Sequence, residues 1–400
     1  MSLPPFWNTS APGVFTVDRR CCLACALLAA ALVFAWQWLT VRVNYGGNWT
    51  ALFCTGARHG APPTLAAEHI YLFPGSYGYD GQMYHYIAHD PLLHDPDLEA
   101  YIDAPRLRWR RILVPALAYL LAAGRQRWID PAYYALVLFF TAAGVYWTAA
   151  GSRLLGLSAA WGLLFLLLPS TLVSMDRMVV DGALTALAAG FAYYLRAPSW
   201  RLFIILAAAP LVRETGFLLL AAWCGYLMLQ RRPGRAALYA LAAVPAFAWY
   251  AWVETHTAAE HYPINFKPLS SVWALFWHPV PYPAGVRLAW LATISDRLAL
   301  LGMVAAFALA LYWNGKRHPG AMALAALCFA AMGIVLQGTV LWTNVYSFGR
   351  VYSPLLLFLG LESLERSSGA ALLPLSLMWP RIGMQIGSQA VGILSALKKW

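Results

Sequence analysis

Apolar runs long enough to cross a bilayer alternate along almost the whole chain with short clusters of charge. The first run, Cys21–Val41, carries no charge and follows Arg19 and Arg20. About 20 residues rising about 1.5 Å each cover a hydrocarbon core of about 30 Å. A cleaved leader would have a shorter apolar stretch, about 7–15 residues, so this run reads as a retained helix. Asn44–Arg111 follows as a polar segment holding seven of the 17 acidic residues and five of the nine histidines. Inside it, Trp49–His59 and Gln82–His89 read as short amphipathic helices separated by the turns Ala61-Pro62-Pro63 and Phe73-Pro74-Gly75. Ile112–Gly124 is apolar but only 13 residues long, which predicts a helix embedded from one side or lying at the interface. Pro131–Ser152 is the second full span.

The later pattern falls into pairs. Leu154–Met175 rises and Gly182–Leu195 returns; Leu202–Val212 and Thr215–Gln230 form a second pair. Ala236–Val253 leads to a second polar stretch, Glu254–Arg287, rich in Trp, Tyr, His and Pro. Leu298–Gly315, Pro319–Leu341 and Val351–Leu361 follow. Ala370–Leu397 is apolar but broken by Pro374, Pro380 and Arg381, a hairpin or an interfacial helix. With Arg19 and Arg20 inside, Arg153, Arg196, Arg201, Arg231–Arg235 and Lys316/Arg317 also fall inside, as basic residues flanking membrane spans do.

Composition fits this reading. Of the 400 residues, 61% are hydrophobic and 11% charged, with a mean hydropathy of +0.58. A soluble domain carries roughly a quarter charged residues. The formal charge of +11 comes from clusters between apolar runs, which suits anionic lipid rather than nucleic acid. The six cysteines form neither a disulfide framework nor a zinc spacing.

In this topology Asp80, Asp90, Asp103, Asp176, Asp181, Arg213, Glu214 and Arg350 gather at the outer surface. Carboxylates beside arginines at a hydrophobic groove suit a substrate with a phosphate head and a lipid tail. One carboxylate would serve as general base or hold a divalent cation, Mg or Mn. The sharpest string is Gly78-Tyr79-Asp80-Gly81-Gln82-Met83-Tyr84-His85-Tyr86-Ile87-Ala88-His89-Asp90-Pro91. Asp80 can cap a helix there that Asp90-Pro91 ends. Gln82, His85 and His89 share one face, and Tyr84 and Ile87 another. His85 and His89 stand at i, i+4, but no Glu follows His85 as in the zinc-protease motif, and the pair reads as structural or interfacial. Asp176 pairs with Arg177, and Arg213-Glu214 reads either as a self-satisfied pair or as part of a site. Arg106, Arg108, Arg110 and Arg111 read as lipid-phosphate anchors, one of which could hold a substrate phosphate.

The string Gly78–Pro91, with Arg110-Arg111-Ile112-Leu113-Val114-Pro115, resembles a group of bacterial polytopic proteins linked to cell-surface glycopolymer formation. The architecture over residues 20–350 is similar to the GT-C superfamily of lipid-linked-sugar glycosyltransferases. That resemblance implies an all-α, polytopic membrane bundle of about 10–12 membrane helices in one integral domain. Its parts are a first span (21–43), an outer loop with juxtamembrane helices (44–111), core spans (112–253), a second outer loop (254–287) and C-terminal spans (288–400). It implies inverting transfer of a sugar from a polyprenyl-phosphate donor to a glycan or lipid acceptor, at the periplasmic face of a bacterial inner membrane. Asp80 matches the catalytic loop aspartate, Asp181 the acidic apex and Arg213 a phosphate contact. Gln82, Tyr84, His85, Arg110, Glu214 and Arg350 complete the expected substrate-binding set, with a lipid-sized groove beside Asp80. One departure stands out: the superfamily places an acid soon after its first span, where this chain reads Asn44-Tyr45-Gly46-Gly47-Asn48. Rival readings are a non-enzymatic lipid-linked glycan transporter or assembly protein, and a glycan polymerase or ligase. Charges collected at one surface, without repeats, favour the enzyme over a transporter.

Overall fold

The computed structural model describes residues 18–259, 265–282, 285–316, 320–338, 341–342 and 344–398. Arg317, Pro319, Lys399 and part of the second outer loop lie outside the described residues. Among the described residues the chain is all-helical apart from two two-residue strands, which pair in parallel as Thr55↔Leu72 and Gly56↔Phe73.

In chain order, α1 (Arg19–Asn44) precedes the polar loop. The loop carries α2 (Asp80–His89) and α3 (Pro105–Arg110). Then come α4 (Leu113–Leu121), α5 (Gln126–Leu154), α6 (Pro169–Arg177), α7 (Asp181–Tyr194), α8 (Trp200–Val212), α9 (Phe217–Leu229), α10 (Pro233–Ala240) and α11 (Val244–His256). The rest are α12 (Ser270–Trp277), α13 (Val286–Lys316), α14 (Ala321–Val335), α15 (Val345–Val351), α16 (Ser353–Arg366) and α17 (Leu373–Leu397). Four helical stretches are long and apolar enough to cross a membrane: α1, α5, α10–α11 taken together, and α13. A bent pair would make a fifth. This is compatible with an integral membrane protein. The remaining apolar helices have 10–17 residues and rise only about 15–25 Å each.

α1 is part of the bundle. Its buried stripe Cys22, Ala26, Ala29 and Val33 lies against α5, while Leu23, Leu27, Leu28, Leu32 and Phe34 stay exposed. Small residues inward and leucines outward suit a helix between protein and lipid.

Several expectations are corrected. Residues 154–175 do not form one straight span: a 3-10 stretch, Ala159–Leu167, meets α6 at a 64° bend. Pro169 at the first position of α6 forces Leu168 out of the helical region, to ψ 135°. Trp49–His59 is a single 3-10 turn, Trp49–Phe53, capped by the Asn48 side chain and stopped by left-handed Cys54. The C-terminal stretch is one long helix, α17, rather than a hairpin. It runs through Pro380 against α13, where Arg381 meets Asp296 at 3.0 Å. Helix α13 also begins at Val286, well before the expected Leu298.

The junctions converge on one end of the bundle. Gln37 near the end of α1 donates to the Met175 carbonyl at 2.9 Å, and Tyr133 near the start of α5 donates to Met178 O at 2.9 Å. At the other end Arg196, Arg232 and Arg235 line a cavity of about 550 Å³ with the start of α14. The cationic cluster and the polar junctions thus lie at opposite ends of the bundle. Beneath the loop, Met83, Ile87, Leu98, Trp109, Ile112 and Val253 form a smaller apolar core that ties α2 and α3 to α11.

Gly81 lets α2 dock on the bundle. A Cβ there would sit 2.0 Å from Arg177 O and 2.9 Å from Phe53 O, both backbone atoms that cannot swing aside. Gly81→Ala is expected to cost about 1–3 kcal/mol of stability as an overpacked contact. A thermal melt of the detergent-solubilised protein checks it; an unchanged midpoint would show that α2 does not seat this closely.

Candidate functional site

Asp80 opens α2 without capping it: its predecessor Tyr79 is the extended N-cap residue, and no side chain bonds the first turn. Its carboxylate is therefore free to face arginines. Arg108 Nη2 donates to Oδ1 at 2.9 Å, and Arg350 Nη2 donates to Oδ2. Burial alone would raise the pKa of Asp80, but these two guanidinium groups outweigh it and hold the carboxyl well below the ordinary range.

The rest of the cluster comes from helix junctions. Met178, in the left-handed conformation, ends α6 and turns the chain so that Asp181 starts α7 with 1% exposure. Arg213 breaks α8 with an extended backbone, and Gly216 permits the tight return: a Cβ on it would lie 2.2 Å from the Ala209 backbone carbon. Arg213 Nη1 donates to Asp181 Oδ1, and Arg350 Nη1 lies 3.6 Å from Asp181 Oδ2. Arg111 pairs with Glu214 at 3.1 Å and donates to the Tyr84 hydroxyl at 3.1 Å. Arg108 also reaches Tyr84 at 3.4 Å and grips Asp103 with two 2.8 Å bonds. The Arg350 guanidinium lies over the Tyr79 ring, 5.0 Å from its centroid. Arg108, Arg111, Arg213 and Arg350 thus face Asp80, Asp181 and Glu214, with Asp103 at the half-exposed rim.

The structure brings Asp80, Tyr84, Asp181, Arg213, Glu214 and Arg350 together. Arg213 and Glu214 do not satisfy each other; each goes to a different partner. Three expected residues have their partners elsewhere. Gln82 fixes the loop, accepting from Gly56 N at 3.0 Å and donating to Tyr77 O at 2.8 Å. His85 stacks on Phe53 and faces Asp130. Arg110 pairs with Glu254 and covers the Tyr250 ring. Arg108, Arg111 and Asp103 join the cluster, Asp103 expected only at the outer surface and the two arginines only as phosphate anchors. Their signal is helical spacing: 108 and 111 stand at i, i+3 on one face, while 106 and 110 at i, i+4 both turn to Glu254. The contrast is testable. Arg108→Gln should cost about 2–3 kcal/mol by stranding buried partners. Arg110→Gln should cost about 0–1 kcal/mol, as an exposed pair does. Equal melting shifts would contradict the assignment.

A divalent cation does not fit at Asp80, because both of its oxygens are held by guanidinium groups. The groove expected beside Asp80 is likewise absent from the described cavities, whose linings do not include it. The arginines and carboxylates there pair with one another. Even so, Nε of Arg213 and Nε of Arg350 are buried with no hydrogen-bond partner among the described residues.

A second constellation lies at the other end of α2. Nε2 of His85 and Nε2 of His89 both lie close to Asp130 Oδ1, 2.9 and 3.1 Å away. Burial opposes a charge on His89, but Asp130 and Gln126 outweigh it and raise its pKa.

The described residues form a helical bundle with several helices long and apolar enough to cross a membrane, and an arginine–carboxylate cluster lies where its loops meet one end of it. No family model, no curated protein and no solved structure matches the chain.

Proposed function

We propose that the chain is a membrane glycosyltransferase that moves a sugar from a polyprenyl-phosphate donor to a glycan or lipid acceptor. The cluster at the bundle end, facing the periplasm of a bacterial inner membrane, would be its active site. The observation that carries this reading is Asp80 held between Arg108 and Arg350, beside Arg213 and Asp181. Arginine forks fit phosphate oxygens in bidentate pairs. The unpartnered Nε atoms of Arg213 and Arg350 supply spare donors. The local motif resemblance points the same way.

Held by two arginines, Asp80 is a weak base. A donor phosphate competes for the same guanidinium groups, and as they swing onto its oxygens Asp80 is released and regains basicity. The acceptor hydroxyl then loses its proton to Asp80 as its oxygen bonds to the sugar C1. The C1–O bond to phosphate breaks, and polyprenyl phosphate departs with the electron pair, neutralised by arginine. Displacement at C1 inverts the anomeric centre. The acceptor's identity selects between simple transfer and polymerisation or ligation.

One observation favours a second reading: the arginines and carboxylates pair with one another, and such an ionic cluster can simply lock the loop to the bundle of a non-enzymatic assembly protein. Native mass spectrometry of the detergent-purified protein separates the two. The enzyme reading expects bound polyprenyl phosphate on the wild type and none on the folded fraction of Arg350→Gln. No binding by the wild type, or equal binding by the variant, would favour the lock.

A further inference from the structure

The trio His85, His89 and Asp130 takes no part in the proposed transfer, and its hydrogen bonding is incomplete. His85 is fully buried and stacked 4.0 Å from the Phe53 ring; its Nε2 lies 2.9 Å from Asp130 Oδ1 without hydrogen-bond geometry, and its Nδ1 has no hydrogen-bond partner among the described residues. His89 is better defined. The Gln126 amide is oriented by donating Nε2 to the His89 carbonyl at 3.3 Å, so its Oε1 faces His89 Nδ1 at 2.5 Å. An amide oxygen only accepts, so Nδ1 carries the proton. The Nε2 lone pair of a neutral His89 then points at a carboxylate oxygen 3.1 Å away, acceptor against acceptor. A cation between them, a proton or a metal ion, resolves that conflict. A carbonyl or amide that fixes the far nitrogen of a ring is also the usual outer partner of a metal-bound histidine.

We propose that His85 Nε2, His89 Nε2 and Asp130 form a binding site for a transition-metal dication of the zinc class. Two imidazoles and one carboxylate suit zinc with one open position. The ligand atoms of all three residues lie within 4.8 Å of one another. Tetrahedral bonds of about 2.0–2.1 Å set ligand atoms roughly 3.3 Å apart, a few tenths of an ångström more than the two histidine–Asp130 separations of 2.9 and 3.1 Å. A route in exists: His89 and Gln126 line a cavity of about 420 Å³ together with Asp90, His94 and Asp95, whose carboxylates attract cations. The ion would fasten the C-terminal half of α2 to the start of α5, and so position Asp80 at the other end of α2. The site stands on different residues from the arginine cluster, and its failure would leave the transferase reading untouched.

The test is metal analysis of the full-length protein, purified in detergent from zinc-supplemented cells and dialysed. About one zinc per chain is expected. Asp130→Asn, close to isosteric, should retain less than a tenth of it. Gln126→Leu should weaken zinc binding about 10–100-fold. A chelator should lower the melting midpoint of the wild type, added zinc should restore it, and neither should move Asp130→Asn. Cobalt in place of zinc should give visible absorption that His89→Gln lacks, a readout independent of stability. The proposal is overturned if the wild type holds no metal and neither zinc nor cobalt changes its melting or absorption. It also fails if Asp130→Asn holds as much zinc as the wild type. In either case the trio is an imidazolium–carboxylate pair.

Discussion

Asp80→Asn is expected to stop glycan transfer while leaving the protein folded and its lipid affinity intact or improved. Asparagine keeps the shape of the side chain and one acceptor oxygen but cannot take a proton. Loss of a positioned base costs about 10²–10⁴ in rate, so transfer scored by surface glycan in a host lacking its own copy should fall at least about 100-fold. The fold should survive because both arginines keep other carboxylates: Arg108 holds Asp103 with two 2.8 Å bonds, and Arg350 lies 3.6 Å from Asp181. Binding of polyprenyl phosphate should hold or tighten, since Asp80 no longer competes for the guanidinium groups. An ionic lock predicts the reverse: a lower melting midpoint and no selective loss of glycan.

Arg213→Met should be the most destabilising change in the cluster. It leaves Asp181, 1% exposed, without its nearest partner, and stranding a buried charge costs about 3–5 kcal/mol. Removing both charges tells more. The double variant Arg213→Met with Asp181→Leu should recover most of the lost melting midpoint, because a buried ion pair is often no more stable than an apolar pair of similar volume. It should not recover binding of the lipid phosphate. Additive losses in the double variant would mean that Asp181 depends mainly on Arg350.

The polar junctions were legible in the sequence because charge is costly at membrane depth and has to collect where helices end. That argument placed Asp80, Asp181, Arg213 and Arg350 on one face, and the structure brings them into one cluster. Partner choice was less visible. Arg110 was favoured from its place in a motif, yet 108 and 111 share the face toward Tyr84, while 106 and 110 share the one toward Glu254. Gln82 and His85 stand near Asp80 in sequence, but helix rotation and the Gly56–Tyr77 backbone claim one, and Phe53 with Asp130 the other. Asp130 could not be paired with His85 and His89 from spacing alone, because about 40 residues separate them. The break at Pro169 was signalled by a residue that forbids helix before it, and a long apolar run hid it.

The central claim is that the cluster around Asp80 transfers sugar from a lipid phosphate. It is tested most directly by following release of polyprenyl phosphate from a panel of polyprenyl-phosphate sugars, using the purified protein in lipid nanodiscs. The wild type should release it from at least one donor when acceptor is present, and Asp80→Asn should do so at least about 100-fold more slowly. Release at the wild-type rate by Asp80→Asn, or none by the wild type from any donor, would contradict the account.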